Sequence, residues 1–502
     1  MREAILKIGL TLLILMGVEW HLLAKTSETD YVVLVGKSVY ADVSWDKVVN
    51  RLTEIHQAKV VNYDKLPSEA LPLLKELSPR YVAVIEKPEY INRNFIINLN
   101  RMSREIDDDL YGDFLWGIIT GYDADAALRL VERARNPKEI KSAWCIGVND
   151  FKDGKYFEQM GLSTEENEWR EKNTESNQDM AGRYKELANK VVSWGEQHNP
   201  DLIIYQVEEF KNQFNLVSPD DYREGKIVPR QGKLWWGDRK LKLGNNSRVC
   251  FTPMSGANTF GTKESVPVVW LSDLDVTTLI GSMEISFHGR GEWGTLKYWM
   301  TDAGRFTLAE AHFLNQQDML CKLNRWSPKL LQECYKFNED TSKLVLNYYR
   351  SYNEYESKIE ELTGSKQEML DKFSYLYERD IMVYYGDPAW NVRVKDLSDD
   401  QPYIITSKVR GKKCIVTIKT TASFSWERLG GEIRAEYSFG DRHCAVGYLP
   451  ICYFFPQRLH KPQVARKQKQ QLDIVVNKDF LFVYDAYWEP NGTYRIILDL
   501  GK

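Results

Sequence analysis

The sequence lacks the patterns that define several large classes of protein. Its seven cysteines are scattered and form no CxxC pair, which argues against a zinc ribbon and against a dense disulfide framework. No run of five or more basic residues occurs and the formal net charge is −4, so nucleic acid is not expected as a partner. A hydrophobic content of 43% over 502 residues instead indicates a folded globular chain of two or three domains.

The N-terminus has the features of an export signal. Arg2 and Lys7 accompany an apolar run over 8–18, and Ala24 offers a small residue for cleavage. The run is short for a bilayer span of about 20 residues. We therefore predict a signal peptide at 1–24, an exported protein (periplasmic, cell-surface or secreted) and no transmembrane segment in the mature chain. In that oxidising compartment Cys444 and Cys452, which flank a candidate hairpin, are the natural disulfide pair.

The alternation of strand-like and helix-like runs predicts an α/β sheet followed by a β-domain. Strands alternate with helical periodicity over 31–150, and residues 25–150 are assigned to an N-terminal α/β subdomain. Residues 151–330 begin with a polar, charged stretch over 151–200, return to strand-like runs from 202, and are assigned to a second α/β domain. Residues 331–398 are predicted to be a helical connector. From 399 to 502 seven short alternating runs separated by turns predict a small β-sandwich. Residues 211–247 are expected to be rich in loops.

Two glycine-rich loops follow apolar strands and suggest a binding site. One loop covers 255–261 after the strand at 249–253, and the other covers 288–294 after the strand at 278–287. Loops of this kind form the site at the carboxyl ends of strands in open α/β sheets. The predicted ligand contacts are these loop residues together with an aromatic turn: His288, Arg290, Glu292, Trp293, Trp235 and Trp236.

Several short motifs, in one order along the chain, resemble the caspase/gingipain-type cysteine peptidases, in particular the bacterial gingipain-like branch. They are DDDLYGDFLWGIITGYD at 107–123, GRFTLAEA at 304–311, NQQ at 315–317, YERD at 377–380, GDPAW at 386–390 and FPQRL at 455–459. The resemblance implies a doubly wound, caspase-like α/β sheet followed by an immunoglobulin-like β-sandwich. It also implies a catalytic His after one central strand and a catalytic Cys after a later one, the thiolate acting as nucleophile.

The chain departs from that pattern at both catalytic positions. The strand that would carry the His runs into Glu208 and Glu209. The loop that would carry the Cys contains Ser255, Ala257, Asn258 and Thr259. Because neither a carboxylate nor a hydroxyl forms a thiolate, we predict an inactive peptidase-fold protein that holds a peptide or protein ligand in the former cleft.

Two other functions stay open on the sequence alone. One is an active secreted peptidase, of cysteine or another type, with a non-standard constellation near His288. A separate catalytic possibility is a hydroxyl nucleophile at Ser255 or Thr259 with Glu208 or Glu209 as its base. The other is a cell-surface scaffold or glycan-binding protein. Cys250 does not support the first, because a thiol within an apolar strand is typical of a core residue.

An acidic cluster raises the question of a metal ion. Asp107, Asp108 and Asp109 supply the oxygen ligands that Ca²⁺ prefers, but their spacing is not that of an EF-hand loop. Turn formation by aspartate side chains is the alternative explanation. Calcium is the one cofactor that the sequence suggests at all.

Overall fold

A computed structural model describes most of the chain. The residues that it describes are 30–148, 152–172, 178–206, 209–210, 213–216, 225–253, 261–284, 286, 290–332, 374–396, 401–426, 429, 438–439, 442–443, 449–469, 472–485 and 488–501. The predicted signal peptide and most of the predicted helical connector lie outside these ranges. Within them, no helix is long and apolar enough to cross a membrane.

The N-terminal part alternates strands and helices as the sequence predicts. Its first strand, YVVLVG, is apolar at nearly every position because it is buried on both faces of a parallel sheet. The fourth helix begins at an N-cap aspartate, Asp123, whose side chain accepts a hydrogen bond from the Ala126 amide. The elements are strands Tyr31–Gly36 (β1), Lys59–Tyr63 (β2), Tyr81–Ile85 (β3) and Leu115–Ile119 (β4), and helices Asp46–His56 (α1), Leu71–Leu77 (α2), Arg93–Met102 (α3) and Ala124–Ala134 (α4).

The central part continues the same pattern with more antiparallel structure. Its strands are Lys138–Ile140 (β5), Ser142–Ile146 (β6), Gln159–Ser163 (β7), Glu168–Glu171 (β8), Gln178–Asp179 (β9), Leu202–Tyr205 (β10), Glu209–Phe210 (β11), Gln213–Asn215 (β12), Lys226–Arg230 (β13), Lys233–Trp236 (β14), Arg239–Lys240 (β15), Arg248–Thr252 (β16), Val276–Ser282 (β17), Met382–Tyr385 (β18) and Val392–Val394 (β19). Its helices are Tyr184–His198 (α5), Val266–Asp273 (α6), Glu292–Thr301 (α7) and Leu308–Trp326 (α8).

One twelve-stranded sheet joins the two predicted α/β subdomains. The strand order is β2-β1-β3-β4-β18-β17-β16-β10-β6-β7-β8-β9. Strands β1 to β4 and β18 run in one direction, whereas β17, β16, β10, β6 and β7 run in the opposite direction, because β17 and β18 pair antiparallel. The carboxyl ends of the two parallel groups therefore lie at opposite edges of the sheet. Strand β18, which falls within the predicted helical connector, is a central strand instead.

Hydrophobic cores cover both faces of this sheet. In β10, Ile203 packs in one core and Ile204 in the other, since successive side chains of a strand point to opposite faces. Helices α4 and α6 contribute to the first core, and helices α7 and α8 contribute to the second. This two-sided burial explains why the central strands are continuous apolar runs, and it confirms the predicted α/β class.

The segment predicted to be rich in loops contains an antiparallel sheet. Strands β11 to β15 pair in sequence order. Buried Phe214 packs at 5.4 Å, ring centre to ring centre, from Trp270 of α6. The loop prediction was wrong here because the strands are short and largely polar, so their apolar side chains are too few to show a period of two.

The C-terminal region is antiparallel, as predicted. Its strands are Tyr403–Arg410 (β20), Lys413–Thr420 (β21), Ser438–Phe439 (β22), Arg442–His443 (β23), Ile451–Phe454 (β24), Pro462–Val464 (β25), Asp473–Val476 (β26), Phe480–Asp485 (β27) and Thr493–Leu500 (β28). A sheet of order β20-β21-β28-β25 and a sheet of order β24-β27-β26 share one hydrophobic core. The outer residues Phe454 and Phe480 pack on Phe313 of α8, which joins this region to the α/β sheet.

Candidate functional site

The carboxyl ends of β10 and β16, the strands to which the resemblance assigns the catalytic His and Cys, lie side by side. The two strands are parallel neighbours, with Ile203 opposite Cys250 and Ile204 opposite Phe251. Gln206 and Pro253 are buried directly beyond the strand ends. The predicted positions Glu208, Ser255, Ala257, Asn258, Thr259 and His288 lie outside the described residues, and for Glu209 only the backbone, in β11, is described.

The described cysteines are placed as core residues. All five of them, Cys145, Cys250, Cys321, Cys414 and Cys452, are buried free thiols. Burial raises the pKa of the Cys145 thiol, so it stays protonated and is a poor nucleophile at neutral pH. The Cys452 thiol donates a hydrogen bond to Asp302 at 3.3 Å, so it is not in the disulfide predicted with Cys444, a residue outside the described ranges.

Three of the predicted ligand contacts are buried at the start of α7. Arg290 is 3% exposed, and Glu292 and Trp293 are both 0% exposed. The Arg290 guanidinium lies 4.3 Å from the centre of the Tyr375 ring and donates to the Tyr375 hydroxyl at 3.1 Å. The side chains that the sequence places on a cleft wall therefore have internal partners here.

Two buried carboxyl groups, those of Glu292 and Glu378, lie at the start of α7. Glu292 accepts a hydrogen bond from the Ser282 hydroxyl, and Glu378 accepts one from the Gly291 amide at 3.1 Å. Burial, and then the charge of Glu378, raise the pKa of Glu292 to about 8. Burial also raises the pKa of Glu378. Glu292 is therefore a neutral acid at pH 7, because two like charges in a buried site do not both ionise.

Helix α8 holds the backbone just before α7 by hydrogen bonds from Asn315. The Asn315 amide donates to the Arg290 carbonyl at 3.0 Å and to the Gly291 carbonyl at 2.9 Å. A Cβ atom at Gly294 would lie 2.2 Å from Asn315 Oδ1, so a larger residue does not fit there. Close packing between α7 and α8 thus explains part of the glycine spacing that the sequence suggested was for a ligand.

His312 of α8 is a core residue. Its Nδ1 lies 3.1 Å from the Thr295 hydroxyl, and its ring packs 5.7 Å from the Tyr384 ring, centre to centre. Burial lowers the pKa of His312 to about 3, which keeps the imidazole neutral. His312 therefore lies between helix α7 and strand β18 of the large sheet.

Among the predicted contacts within the described residues, the two tryptophans of the predicted aromatic turn are the most accessible. Trp235 and Trp236 both belong to β14 and are half-buried. The Arg239 guanidinium lies 4.8 Å from the centre of the Trp236 ring. Ligand contact by these two residues stays a prediction.

The acidic cluster joins the α/β region to the C-terminal region. The Lys478 ammonium lies 2.8 Å from an Asp107 carboxylate oxygen and also pairs with Asp113. The Asn477 amide donates to Asp109 at 2.6 Å. Asp109 in turn accepts from the Tyr111 amide at 2.8 Å, the turn-forming contact that was the alternative to calcium.

The cation that the structure places beside this acidic cluster is the Lys478 ammonium group. Within the described residues, no group of three or more His, Cys, Asp or Glu side chains is arranged to hold a metal ion. Asp108 is exposed to solvent. Nothing in the local sequence around the three aspartates indicated that Lys478, far along the chain, would meet them.

Comparison with known proteins gives similarity at the level of the fold. No known family model and no curated protein matches the chain. The solved structure of the Arg-specific cysteine proteinase gingipain R (RgpB) is similar with a TM-score of 0.40 and 10% identity, over 79% of this chain and 86% of that chain. The complex of Porphyromonas gingivalis RgpB pro- and mature domains is similar with a TM-score of 0.38 and 9% identity, over 78% and 86%.

Proposed function

We propose that this protein is an exported, non-catalytic binding protein that holds a peptide or protein segment at the carboxyl ends of β10 and β16. One observation carries the proposal. The ends of these two parallel strands are adjacent in the sheet, yet the segments that follow them, 206–217 and 253–261, contain neither Cys nor His. The two neighbouring strand ends are therefore present, but the segments after them lack the residue types that thiol catalysis requires.

The chemistry of the remaining residues supports the absence of turnover. A thiol has a pKa near 8.5 and gives an appreciable thiolate at neutral pH, whereas a serine or threonine hydroxyl needs a strong neighbouring base. The described cysteines are buried in cores, away from solvent. A site at the ends of open α/β strands can bind a ligand through backbone groups and loop side chains without any nucleophile.

Export is supported by the sequence features of residues 1–24. A basic start, a short apolar run and a small residue at Ala24 are the three parts of a secretory signal. Fusion of these residues to a reporter that is active only outside the cytoplasm is expected to produce reporter activity. A reporter that stays inactive would contradict export.

Catalysis is tested on the purified mature chain with thiol-reactive peptide probes and a peptide library. We expect no covalent labelling by chloromethyl ketone peptides with basic, acidic or apolar terminal residues, and no cleavage of the library. Turnover that disappears in a His288→Ala variant would overturn the non-catalytic proposal and would support the alternative peptidase instead.

Binding is tested with a displayed peptide library selected on the same protein. An Asn258→Trp variant introduces a large side chain into the sequence segment that follows β16 and is expected to abolish binding of the selected peptides. Asn189→Trp, at an exposed position on α5, is the matched control and is expected to bind as the wild type does. Unchanged binding by Asn258→Trp would place the ligand elsewhere.

A further inference from the structure

A second concave site lies in the N-terminal part of the sheet. A cavity of about 1170 Å³ opens where β1, β2 and β3 end, and the residues that directly follow these strands line it. Lys37 and Ser38 follow β1, Asp64 follows β2, and Glu86 follows β3. Its volume lies just above the roughly 300–1,000 Å³ typical of small-molecule sites.

The topology of the sheet marks this place as a binding crevice. Strand β1 lies between β2 and β3 in the sheet. After β1 the chain forms β2 on one side of β1 and then crosses over to form β3 on the other side. Such a switch point leaves a crevice at the carboxyl ends of the strands, where ligands bind in open α/β sheets. Since β1 to β3 run opposite to β10 and β16, this crevice lies at the other edge of the sheet from the proposed peptide site.

A buried carboxylate forms part of the crevice lining. Glu86 is 4% exposed, and it accepts hydrogen bonds from the Tyr63 hydroxyl at 2.8 Å, from the Lys87 amide at 2.9 Å and from the Ser38 hydroxyl. Burial, and then the charge of Glu86, raise the pKa of Tyr63, which keeps this phenol a donor. Three donors from three strand ends thus hold one charged group in a fixed position.

The charges around the cavity argue against a phosphate ligand. Three lysines line it, but so do four carboxylates: Lys37, Lys65 and Lys87 against Asp42, Asp64, Glu86 and Glu89. Two of the lysines already have acidic partners, since Lys87 lies 2.7 Å from Asp42 and Lys37 lies 3.8 Å from Asp64. A highly charged anion would be repelled by this net negative lining. A neutral ligand with hydroxyl groups can accept hydrogen bonds from the lysines and donate them to the carboxylates.

The rim of the cavity carries exposed apolar side chains. Tyr90 is 57% exposed and Val43 is 82% exposed. Asn92 and Asn94 also line the cavity, and the Asn92 side-chain oxygen already accepts a hydrogen bond from the Phe95 amide. An exposed tyrosine ring beside amide groups offers an apolar face and polar contacts together.

We propose that this cavity binds a neutral oligosaccharide. A sugar hydroxyl both donates and accepts, so it is matched by the carboxylate, ammonium and amide groups that line the cavity, such as those of Glu89, Lys65 and Asn94. The apolar C–H face of a pyranose ring stacks on an exposed aromatic ring, the role that Tyr90 takes. This site is independent of the proposed peptide site.

The test titrates the mature chain with maltohexaose, cellohexaose and chitohexaose, and with a galacturonic acid hexamer as the anionic probe, by saturation-transfer NMR and calorimetry. We expect at least one neutral hexamer to bind, and Tyr90→Ala to weaken that binding by about tenfold. Asn94→Ala, at a second exposed position, is expected to weaken it as well. Ile404→Ala is the matched control, because Ile404 is a similarly exposed apolar residue, at 54%, on the C-terminal sheet.

Three results would overturn the proposal. They are the absence of binding by every neutral hexamer up to about 10 mM, binding that Tyr90→Ala leaves unchanged, and preference for the anionic hexamer. Peptide selection on the same preparation tests the proposed peptide site separately, because the two sites lie at opposite edges of the sheet. Loss of sugar binding with retained peptide binding would therefore contradict only the sugar site.

Discussion

Replacement of Glu292 by Gln is expected to remove a pH-dependent loss of stability. Glu292 is fully buried beside Glu378, and its pKa in the folded protein is raised from 4.5 to about 8. Below pH 4.5 the carboxyl group is protonated in both the folded and the unfolded chain. As the pH rises above 4.5, the unfolded chain releases this proton while the folded chain keeps it, so the folded state loses relative stability up to about pH 8.

The size of the effect follows from the shift. Each unit of pKa difference corresponds to about 1.4 kcal/mol. Between pH 5 and pH 7 the Glu292 carboxyl group alone is expected to lower the free energy of unfolding by about 2.5 kcal/mol. Glutamine has nearly the same shape, accepts the same hydrogen bond from Ser282 and does not titrate. The variant should therefore gain about 2.5 kcal/mol relative to the wild type over that pH interval.

The measurement is urea-induced unfolding followed by tryptophan fluorescence at pH 5, 6 and 7. Trp293, next to Glu292, is buried and reports on this part of the core. Glu76→Gln, at an exposed position of α2, is the matched control and is expected to follow the wild type. Parallel pH curves for the wild type and Glu292→Gln would refute the argument, because they would mean that Glu292 releases its proton equally easily in both states.

Three further substitutions probe contacts that hold the fold together. Lys478→Met removes the cation beside buried Asp113 and should lower the free energy of unfolding by about 3 kcal/mol at pH 7; an unchanged urea midpoint would contradict the ion pair. Asp380→Asn removes a buried carboxylate whose pKa stays well below 3.8, because the neighbouring Arg104 and Arg379 outweigh the effect of burial. Its cost in free energy of unfolding should be full at pH 7 and should shrink as the pH falls below about 4, in urea unfolding extended down to about pH 2, and a constant cost would count against it. Gly117→Ala would place a Cβ atom 2.2 Å from the Gly386 carbonyl oxygen, and thermal unfolding should show a lower Tm, whereas an equal Tm would show that the two strands can separate.

The sequence alone was sufficient for the local elements and the class of fold. The run of apolar residues in β1 and the helical spacing of α1 follow from which faces are buried, and this information is local. The change to short alternating runs near residue 400 likewise reflects one-sided burial in antiparallel sheets. By contrast, β11 to β15 were missed because their apolar positions are few and their pairing depends on contact with α6.

The candidate sites divide in the same way. The resemblance implied that β10 and β16 are neighbouring strands, and the lack of Cys and His in the segments after them is a property of the sequence itself. The inward position of Glu292 could not be predicted, since the glycine-rich loop that carries it resembles a ligand loop in composition. Only the hydrogen bonds from Asn315 of α8 to the Arg290 and Gly291 carbonyls showed that the described part of this segment, from residue 290 onward, belongs to the core.

The sequence by itself determined the α/β class, the C-terminal antiparallel region and the absence of a Cys–His pair at the two strand ends. Only the tertiary structure decided that β17 and β18 pair antiparallel, and hence that two crevices open at opposite edges of one sheet. It also decided that Lys478 meets the acidic cluster and that Glu86 is buried beside the second crevice. Strand direction and contacts between distant segments depend on how the elements pack, and no local pattern of residues specifies them.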